Sequence, residues 1–186
     1  MKTKQKSFFE SSNTRKTAYG GELRKKKAHR GARPLAFKSG SIHITMKSLF
    51  AKGVNSFQHS TKKSRIEKFI VSFSKKKGVQ ILSFANVGNH LHLHVRLHNK
   101  ALYLAWIRGL SSGIAMMSMG LVGLKNLNRQ GKKFWQHRPF SQIIRSFRHF
   151  LNTKAYLQIN ILEGMGLPRK EAERIIYGCR QVFSSS

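Results

Sequence analysis

The chain has 186 residues, and its 36 lysines and arginines against six acidic residues give a formal net charge of +30 at pH 7. All six acids are glutamates, which excludes chemistry that needs an aspartate triad or paired aspartates on one metal. A hydrophobic content of 40% with thirteen phenylalanines can build a core, which excludes a wholly disordered polycation. The single cysteine excludes an internal disulfide and a thiolate zinc site and fits a reducing cytoplasm.

Basic residues are spread along the whole chain, and this distribution favours nucleic acid over a local membrane anchor as the partner. The N-terminus has no apolar segment of signal-peptide length. The longest apolar stretch, residues 113–124, is about half of what a bilayer requires. We therefore expect a soluble, intracellular protein that binds no membrane.

The first 40 residues are interpreted as a basic flexible arm, because they are rich in Lys, Arg, Ser and Gly and lack apolar periodicity. The basic run at residues 24–34 includes Arg30 and Arg33, which are candidates for contact with phosphates. A solvated, disordered leader is the alternative interpretation of the same composition.

Beyond the arm, alternation with a period of two predicts strands, and apolar spacing of three and four predicts helices. The apolar helix that follows the hairpin is expected to end near Gly120 or Gly123 and to lead into a loop over residues 125–133. In chain order the predicted elements are a strand at 41–47, a helix at 61–77, a hairpin of strands at 79–87 and 90–97, an apolar helix at 100–119, a strand at 140–144, a helix at 145–163 and a last helix that begins at Pro168.

This order of elements predicts an α+β fold on the ferredoxin-like split βαβ plan, with a four-stranded antiparallel sheet, helices on one face and a further C-terminal helix. In that plan the first and third strands are neighbours at the centre of the sheet. His43 on the first strand and the histidines of the third would then line the face that the helices leave open. An open polar face on a basic protein favours contact with nucleic acid.

Three of the nine histidines, His90, His92 and His94, alternate along the predicted third strand and therefore point the same way. Adjacent members lie about 6.6 Å apart along a strand, so two of them can lean onto one metal ion. An exposed strand that merely carries polar rings is the alternative. His43 has three open interpretations: support of the metal pair, contact with DNA, or an exposed strand position.

The whole segment at residues 86–95, Asn-Val-Gly-Asn-His-Leu-His-Leu-His-Val, resembles the His-hydrophobic-His strand of the HUH endonucleases. In particular it is similar to the single-tyrosine HUH transposases of the REP-associated and insertion-sequence type. The resemblance implies that His90 and His92 are the metal-binding pair and that Asn89 matches the turn asparagine of the family. His94 would be an additional histidine outside the family core.

A second motif of that family, a tyrosine followed four residues later by asparagine, is matched by Tyr156 and Asn160, although Ile161 stands where proline is common. The resemblance implies that Tyr156 is the nucleophile and that Asn160 is the third metal ligand, with Glu163 as the fallback. Helical spacing supports the pairing, because one polar stripe collects His149, Asn152, Tyr156, Asn160 and Glu163.

The residues before the last predicted strand, Phe134-Trp135-Gln136 and Arg138-Pro139-Phe140, also resemble the family's Trp-Gln pair and aromatic strand. The resemblance thus covers residues 41–166, which we interpret as the catalytic domain, followed by a C-terminal helix and tail at 167–186. The predicted nucleic-acid contacts are Arg30, Arg33, His43, Asn89, His94, Trp135 and Arg138.

The resemblance implies a transposase: a metal-dependent single-stranded DNA endonuclease and strand transferase that forms a 5′-phosphotyrosine intermediate on hairpin-bearing DNA. Mixed nitrogen and oxygen ligands suit Mn²⁺ at least as well as Mg²⁺, so both ions are named. It also implies a bacterial, cytoplasmic, nucleoid-associated protein and leaves open whether a homodimer forms. The alternative is a noncatalytic RNA- or DNA-binding protein on a ferredoxin-like sheet, which explains the charge equally well.

Overall fold

The structure, a computed structural model, describes residues 19–20 and 40–182 of the chain. Most of the predicted arm, including Arg30 and Arg33, lies outside the described residues. The strands are Tyr19–Gly20 (β1), Ser41–Lys47 (β2), Gln80–Asn86 (β3), His90–Arg96 (β4) and Phe140–Ile144 (β5), and the α-helices are Lys63–Lys76 (α1), Lys100–Arg129 (α2), Phe147–Gly164 (α3) and Arg169–Val182 (α4).

All strands pair antiparallel in one sheet of order β1-β5-β2-β4-β3. The four longer strands follow the order of the split βαβ plan, with the first and third at the centre, so the predicted α+β fold is confirmed. The edge strand β1 is a difference from the sequence-based picture, because Tyr19 and Gly20 pair with Gln142 and Ser141 instead of belonging to a free arm.

The core lies between one face of the sheet and helices α1 and α2. Period-two alternation along β2 and β4 sends their aliphatic side chains into this core, where none is more than 1% exposed. Trp106 of α2 is fully buried there, and its indole N–H donates to the Ser74 hydroxyl of α1 at 2.9 Å. The central aliphatic residues are Ile42, Ile44 and Met46 of β2 and Leu91, Leu93 and Val95 of β4.

Helix α2 has 30 residues and contains the predicted interruption at Gly120, whose backbone has φ 70° and ψ 172°. Only glycine adopts this conformation without strain, so the helix bends there and then resumes. It continues to Arg129, which corrects the loop predicted from residue 125. Among the described residues, α2 is the one helix that is long and apolar enough to cross a membrane. Its residues Trp106, Leu110 and Ile114 nevertheless belong to the core of the domain.

Helix α3 lies across the polar face of the sheet, which corrects the prediction that this face stays open. Its Tyr156 ring contacts His43 and His92, and its Phe150 ring contacts His94. The three imidazoles are consequently buried, at 8%, 3% and 1% exposure respectively. The sequence indicated a polar strand face and a helix at 145–163, but periodicity did not indicate that this helix covers the face.

Burial disfavours the charged form of an imidazole, so it is the largest cause of the lowered pKa values on this face. It lowers the pKa of His43 to about 4, of His92 to about 3 and of His94 to about 4, with neighbouring histidines adding to each shift. At pH 7 all three rings are therefore neutral.

We predict that the metal-free protein loses stability as the pH falls from about 6.5 towards 4. In the unfolded chain each imidazole takes up a proton near pH 6.5, whereas the folded state keeps His43 and His94 neutral down to about pH 4. The unfolded state thus binds more protons in this window, and the free energy of unfolding rises with pH. Each ring contributes on the order of 3 kcal/mol to this change.

Urea unfolding followed by circular dichroism between pH 4 and 8 measures this slope. His94→Gln should flatten it, whereas Val122→Ala, at a position that is 73% exposed on α2, should leave it unchanged. A free energy of unfolding that stays constant between pH 7 and pH 5 would contradict the prediction.

Gly164, the last residue of α3, allows this helix to approach the end of β3. A Cβ atom at this position would lie 2.8 Å from the Asn86 carbonyl oxygen and 2.5 Å from the Gln58 amide nitrogen. Both distances are well inside van der Waals contact. The glycine therefore sets how closely the helix that carries Tyr156 packs against the sheet.

We predict that Gly164→Ala lowers the free energy of unfolding by about 1–3 kcal/mol through overpacking, although alanine is the better helix former. The matched control is Gly178→Ala in α4, where a Cβ meets nothing within 4 Å. That variant should gain about 0.5–1 kcal/mol from helix propensity alone. Thermal or urea unfolding compares the two, and a stabilising effect of both substitutions would refute the role of Gly164.

Candidate active site

In the structure, Tyr156 of α3 packs against histidines of the two central strands, β2 and β4. The Tyr156 ring centre lies 5.3 Å from that of His92 with the rings nearly perpendicular, and 5.8 Å from that of His43. The Ser146 side chain caps α3 by accepting from the His149 backbone N–H. From this start, helical spacing turns Tyr156 and Asn160 towards the sheet.

His90 and His92 are neighbours on β4, with ring centres 4.9 Å apart and ring planes at 82°. Nδ1 of His90 lies 2.7 Å from the Asn89 side-chain oxygen, which can only accept. Nδ1 of the neutral His90 ring therefore carries the proton, and the lone pair is on Nε2. Asn89 thus orients His90, and its predicted contact with nucleic acid stays a prediction.

His92 is oriented by the strand pairing, because register places Thr45 of β2 opposite it. Nδ1 of His92 lies 3.2 Å from the Thr45 hydroxyl and 3.2 Å from Nε2 of His43. Its other nitrogen, Nε2, is buried and has no hydrogen-bond partner among the described residues. A buried polar atom without a partner is costly, and an imidazole nitrogen held in this way is the usual donor to a metal ion.

Asn160 and Glu163 are the two candidates for the third metal ligand. Asn160 is 3% exposed, and its amide nitrogen donates to the Tyr156 carbonyl at 2.7 Å, so its side-chain oxygen is the atom available to bind a metal ion. Glu163 pairs with Arg169 at 3.2 Å and is near enough to His90 to raise the pKa of that ring. The choice of Asn160 over Glu163 stays a prediction, and in the described part of the chain no three His, Cys, Asp or Glu side chains form a metal cluster by themselves.

The electrostatics of His90 differ from those of its neighbours because it lies at the edge of the covered face. Burial, the largest cause, and the nearby Lys47 lower the pKa of His90, while Glu163 raises it. The net direction is downward, so the ring is neutral at pH 7 and its lone pair is available. The donor set of two neutral imidazoles and one amide oxygen fits Mn²⁺ or Mg²⁺.

Arg169 of α4 is a site residue that the sequence analysis missed. Its guanidinium lies 5.9 Å from the centre of the Tyr156 ring, and its Nε donates to Glu173 at 2.9 Å. The pairing of Arg169 with Glu173 is visible in the sequence as an i, i+4 pair. Its contact with Tyr156 depends on the turn between α3 and α4, which the sequence does not specify.

A cleft of about 360 Å³ opens beside the Tyr156 ring, within the size range of small-ligand sites. Its lining includes His43, Thr45, Phe140, His149 and Asn152. Phe140, from the segment that resembles the family's aromatic strand, thus borders the cleft. Of the polar stripe predicted on α3, His149, Asn152 and Tyr156 line this cleft. Asn160 and Glu163 do not line it, and Glu163 pairs with Arg169.

The other predicted nucleic-acid contacts lie in different settings. His94 is buried, and its Nε2 bonds to the Ser41 hydroxyl at 2.6 Å, a position that favours packing over contact with DNA. The half-buried indole of Trp135 donates to the Ser111 carbonyl of α2 and contacts Phe57, which likewise favours packing. Arg138 is exposed, in the segment that leads to β5.

Comparison with known proteins supports the fold but not a family. No family model matches the sequence, and no curated protein matches it. Among solved structures, one of a REP-associated tyrosine transposase bound to a REP hairpin aligns with a TM-score of 0.50 at 16% identity. The alignment covers 72% of this chain and 73% of that one. At this identity the likeness establishes a shared fold, and the chain therefore has the fold of a tyrosine transposase structure.

Proposed function

We propose that the protein is a metal-dependent endonuclease and strand transferase of the HUH type, with Tyr156 as its nucleophile. One observation carries the proposal. The centre of the Tyr156 ring lies 5.3 Å from that of the His92 ring, whose buried Nε2 has no hydrogen-bond partner among the described residues. Nδ1 of His94 is also buried without a partner among the described residues, but the His94 ring lies against Phe150 instead of a tyrosine. The fold shared with a hairpin-bound tyrosine transposase adds support for DNA as the substrate.

In this proposal Nε2 of His90, Nε2 of His92 and the amide oxygen of Asn160 hold Mg²⁺ or Mn²⁺. When bound, the ion withdraws charge from the scissile phosphodiester. Asn89 keeps His90 in the tautomer that presents Nε2, and the contact of Thr45 with Nδ1 of His92 leaves Nε2 as the nitrogen that meets the ion. The buried position of His92 excludes water from its side of the site.

The chemical step is a transesterification by the phenol of Tyr156. Its oxygen forms a bond to phosphorus while the bond from phosphorus to the 3′ oxygen breaks, and the phenolic proton ends on that 3′ oxygen. The products are a 5′-phosphotyrosine and a free 3′-hydroxyl. Because the covalent bond conserves the phosphodiester energy, a 3′-hydroxyl of the same or another strand can reverse the step without ATP.

Arg169 has the role of positioning the Tyr156 ring in this proposal. Two carboxylates, Glu163 and Glu173, balance the guanidinium charge, so stabilisation of a phenolate is a minor part of its effect. The guanidinium group of Arg169 instead lies against the Tyr156 ring and fixes the orientation of that ring. All named groups come from one chain, so the proposal requires no second subunit.

The substrate class follows from the charge and from access to the site. A net charge of +30 suits a polyanion, and the cleft of about 360 Å³ beside Tyr156 is large enough for one nucleotide. We therefore propose single-stranded DNA, with a hairpin next to the cleaved segment, in a bacterial cytoplasm.

The nucleophile is tested with a 3′-labelled, hairpin-bearing DNA strand and Mn²⁺. We expect a denaturation-resistant adduct with the wild-type protein and its complete loss in Tyr156→Phe, which keeps the ring packing and removes the attacking oxygen. Tyr177→Phe, at an exposed position in α4, is the matched control and should leave the adduct unchanged. An adduct that persists in Tyr156→Phe at the wild-type level rules out this nucleophile.

The metal ligands are tested by Mn²⁺ binding, measured by calorimetry on the DNA-free protein, together with adduct formation. His90→Ala should weaken Mn²⁺ binding by at least about 10- to 100-fold and abolish the adduct. His90 is half-buried, so the variant should fold, and His92→Ala gives a second test of the pair. His98→Ala is the control; unchanged Mn²⁺ affinity in both His90→Ala and His92→Ala would favour the noncatalytic alternative.

A further inference from the structure

A second cleft, of about 380 Å³, opens at the N-terminal end of α3. Arg96, Arg145, Phe147 and Phe150 are among the residues that line it. The proposed chemistry uses none of them, and the sequence analysis assigned them no function.

This cleft continues the one beside Tyr156 along the same face of the sheet. In the pairing of β2 with β5, His43 lies opposite Gln142 at the first cleft, and Ser41 lies opposite Ile144 at the second. The two pairs are separated by two residues on each strand, so they point to the same face about 6.6 Å apart. Helix α3 borders both clefts.

An aromatic surface forms one wall of the second cleft. Phe147 is 75% exposed, and its ring is parallel to that of Phe150, at 6° and 6.5 Å between centres. Phe150 in turn packs on the buried His94 ring at 5.0 Å, which fixes its position. An exposed aromatic ring with a fixed ring behind it is a platform on which a nucleic-acid base can stack.

The charge of the cleft complements a phosphate. Arg96 and Arg145 are exposed, and among the described residues neither pairs with a carboxylate. The first turn of α3 contains no acidic residue, so the positive end of its dipole is not neutralised there. Guanidinium groups bind phosphate oxygens in a two-pronged geometry, which suits one nucleotide of a strand.

The distance between Phe147 and Tyr156 fits a single DNA strand that occupies both clefts. Phe147 precedes Tyr156 by nine residues on α3, which corresponds to about 14 Å along the helix axis. A stacked strand rises about 3.4 Å per nucleotide, so this distance is at most about four nucleotides. A short single strand can therefore reach from the phosphate at Tyr156 to the second cleft.

We infer that the second cleft is a nucleotide-binding site for the single-stranded DNA that runs from the active site. A base stacks on Phe147, and Arg96 and Arg145 hold the adjoining phosphate. This inference rests on the proposed function for its ligand but adds a binding site that the chemistry at Tyr156 does not require.

The experiment measures binding of fluorescein-labelled dT20 by anisotropy in a Tyr156→Phe background, so that cleavage chemistry does not affect the result. Phe147→Ala should raise Kd by about 5- to 100-fold, and Phe147→Trp should restore binding, since stacking needs only an aromatic face. Val122→Ala, at a position that is 73% exposed on α2, is the matched control and should bind as the parent does.

Two further measurements separate the base from the phosphate. On a strand of the same length made of abasic sites, the parent and Phe147→Ala should bind equally. Arg96→Gln combined with Arg145→Gln should lower the salt slope of log Kd by about 0.7, since the two arginines hold one phosphate and each phosphate contact on a single strand accounts for about 0.7. Arg129→Gln, an exposed arginine at the end of α2, should leave the slope unchanged.

Wild-type affinity of Phe147→Ala for dT20 overturns the inference, as does an equal loss of affinity for dT20 and for a blunt 20-base-pair duplex, whose bases are not free to stack. The outcome is independent of the proposed chemistry. A protein that forms no adduct but shows the Phe147 effect retains this site and loses the nuclease function.

Discussion

The contact between helix α3 and the polar face of the central strands is the interaction on which the site depends. It brings the phenol of Tyr156 against His43 and His92 and packs Phe150 on His94, and it removes the three imidazoles from water. The cost of that burial appears as lowered pKa values on His43, His92 and His94. A neutral ring with a free lone pair is the state that a metal ion requires, so the same burial that costs stability at low pH suits the proposed metal site.

The orientation of the rings comes from residues outside the histidine motif. Asn89, in the turn before β4, and Thr45, on the neighbouring strand, each meet an Nδ1 atom and leave Nε2 directed into the site. Gly164 sets the approach of α3 at one end, and the Ser146 cap fixes its start at the other. Arg169 reaches the Tyr156 ring from α4, whose Ala172 is fully buried, so the C-terminal helix is packed with the domain.

Several features of the fold were predictable because they depend on local periodicity. Alternation along residues 41–47 and 90–97 indicated the two central strands, and the order of elements indicated how they pair. The interruption of α2 followed from a glycine in an apolar run, but its continuation to Arg129 did not, because a single residue with positive φ bends a helix without ending it. Edge strand β1 was missed, since two residues carry no periodicity.

The sequence by itself determined which side chains share a face. A period of two places His90, His92 and His94 on one side of a strand, and a period of 3.6 places Asn160 one turn beyond Tyr156. Only the tertiary structure decided that α3 covers that strand face and that His94 and Trp135 lie in packed positions. It also decided that Arg169 and the cleft at Phe147 lie near the candidate site. The reason is physical: the direction of a side chain is set by its own backbone, whereas the meeting of distant segments depends on turns and on the packing of the whole domain.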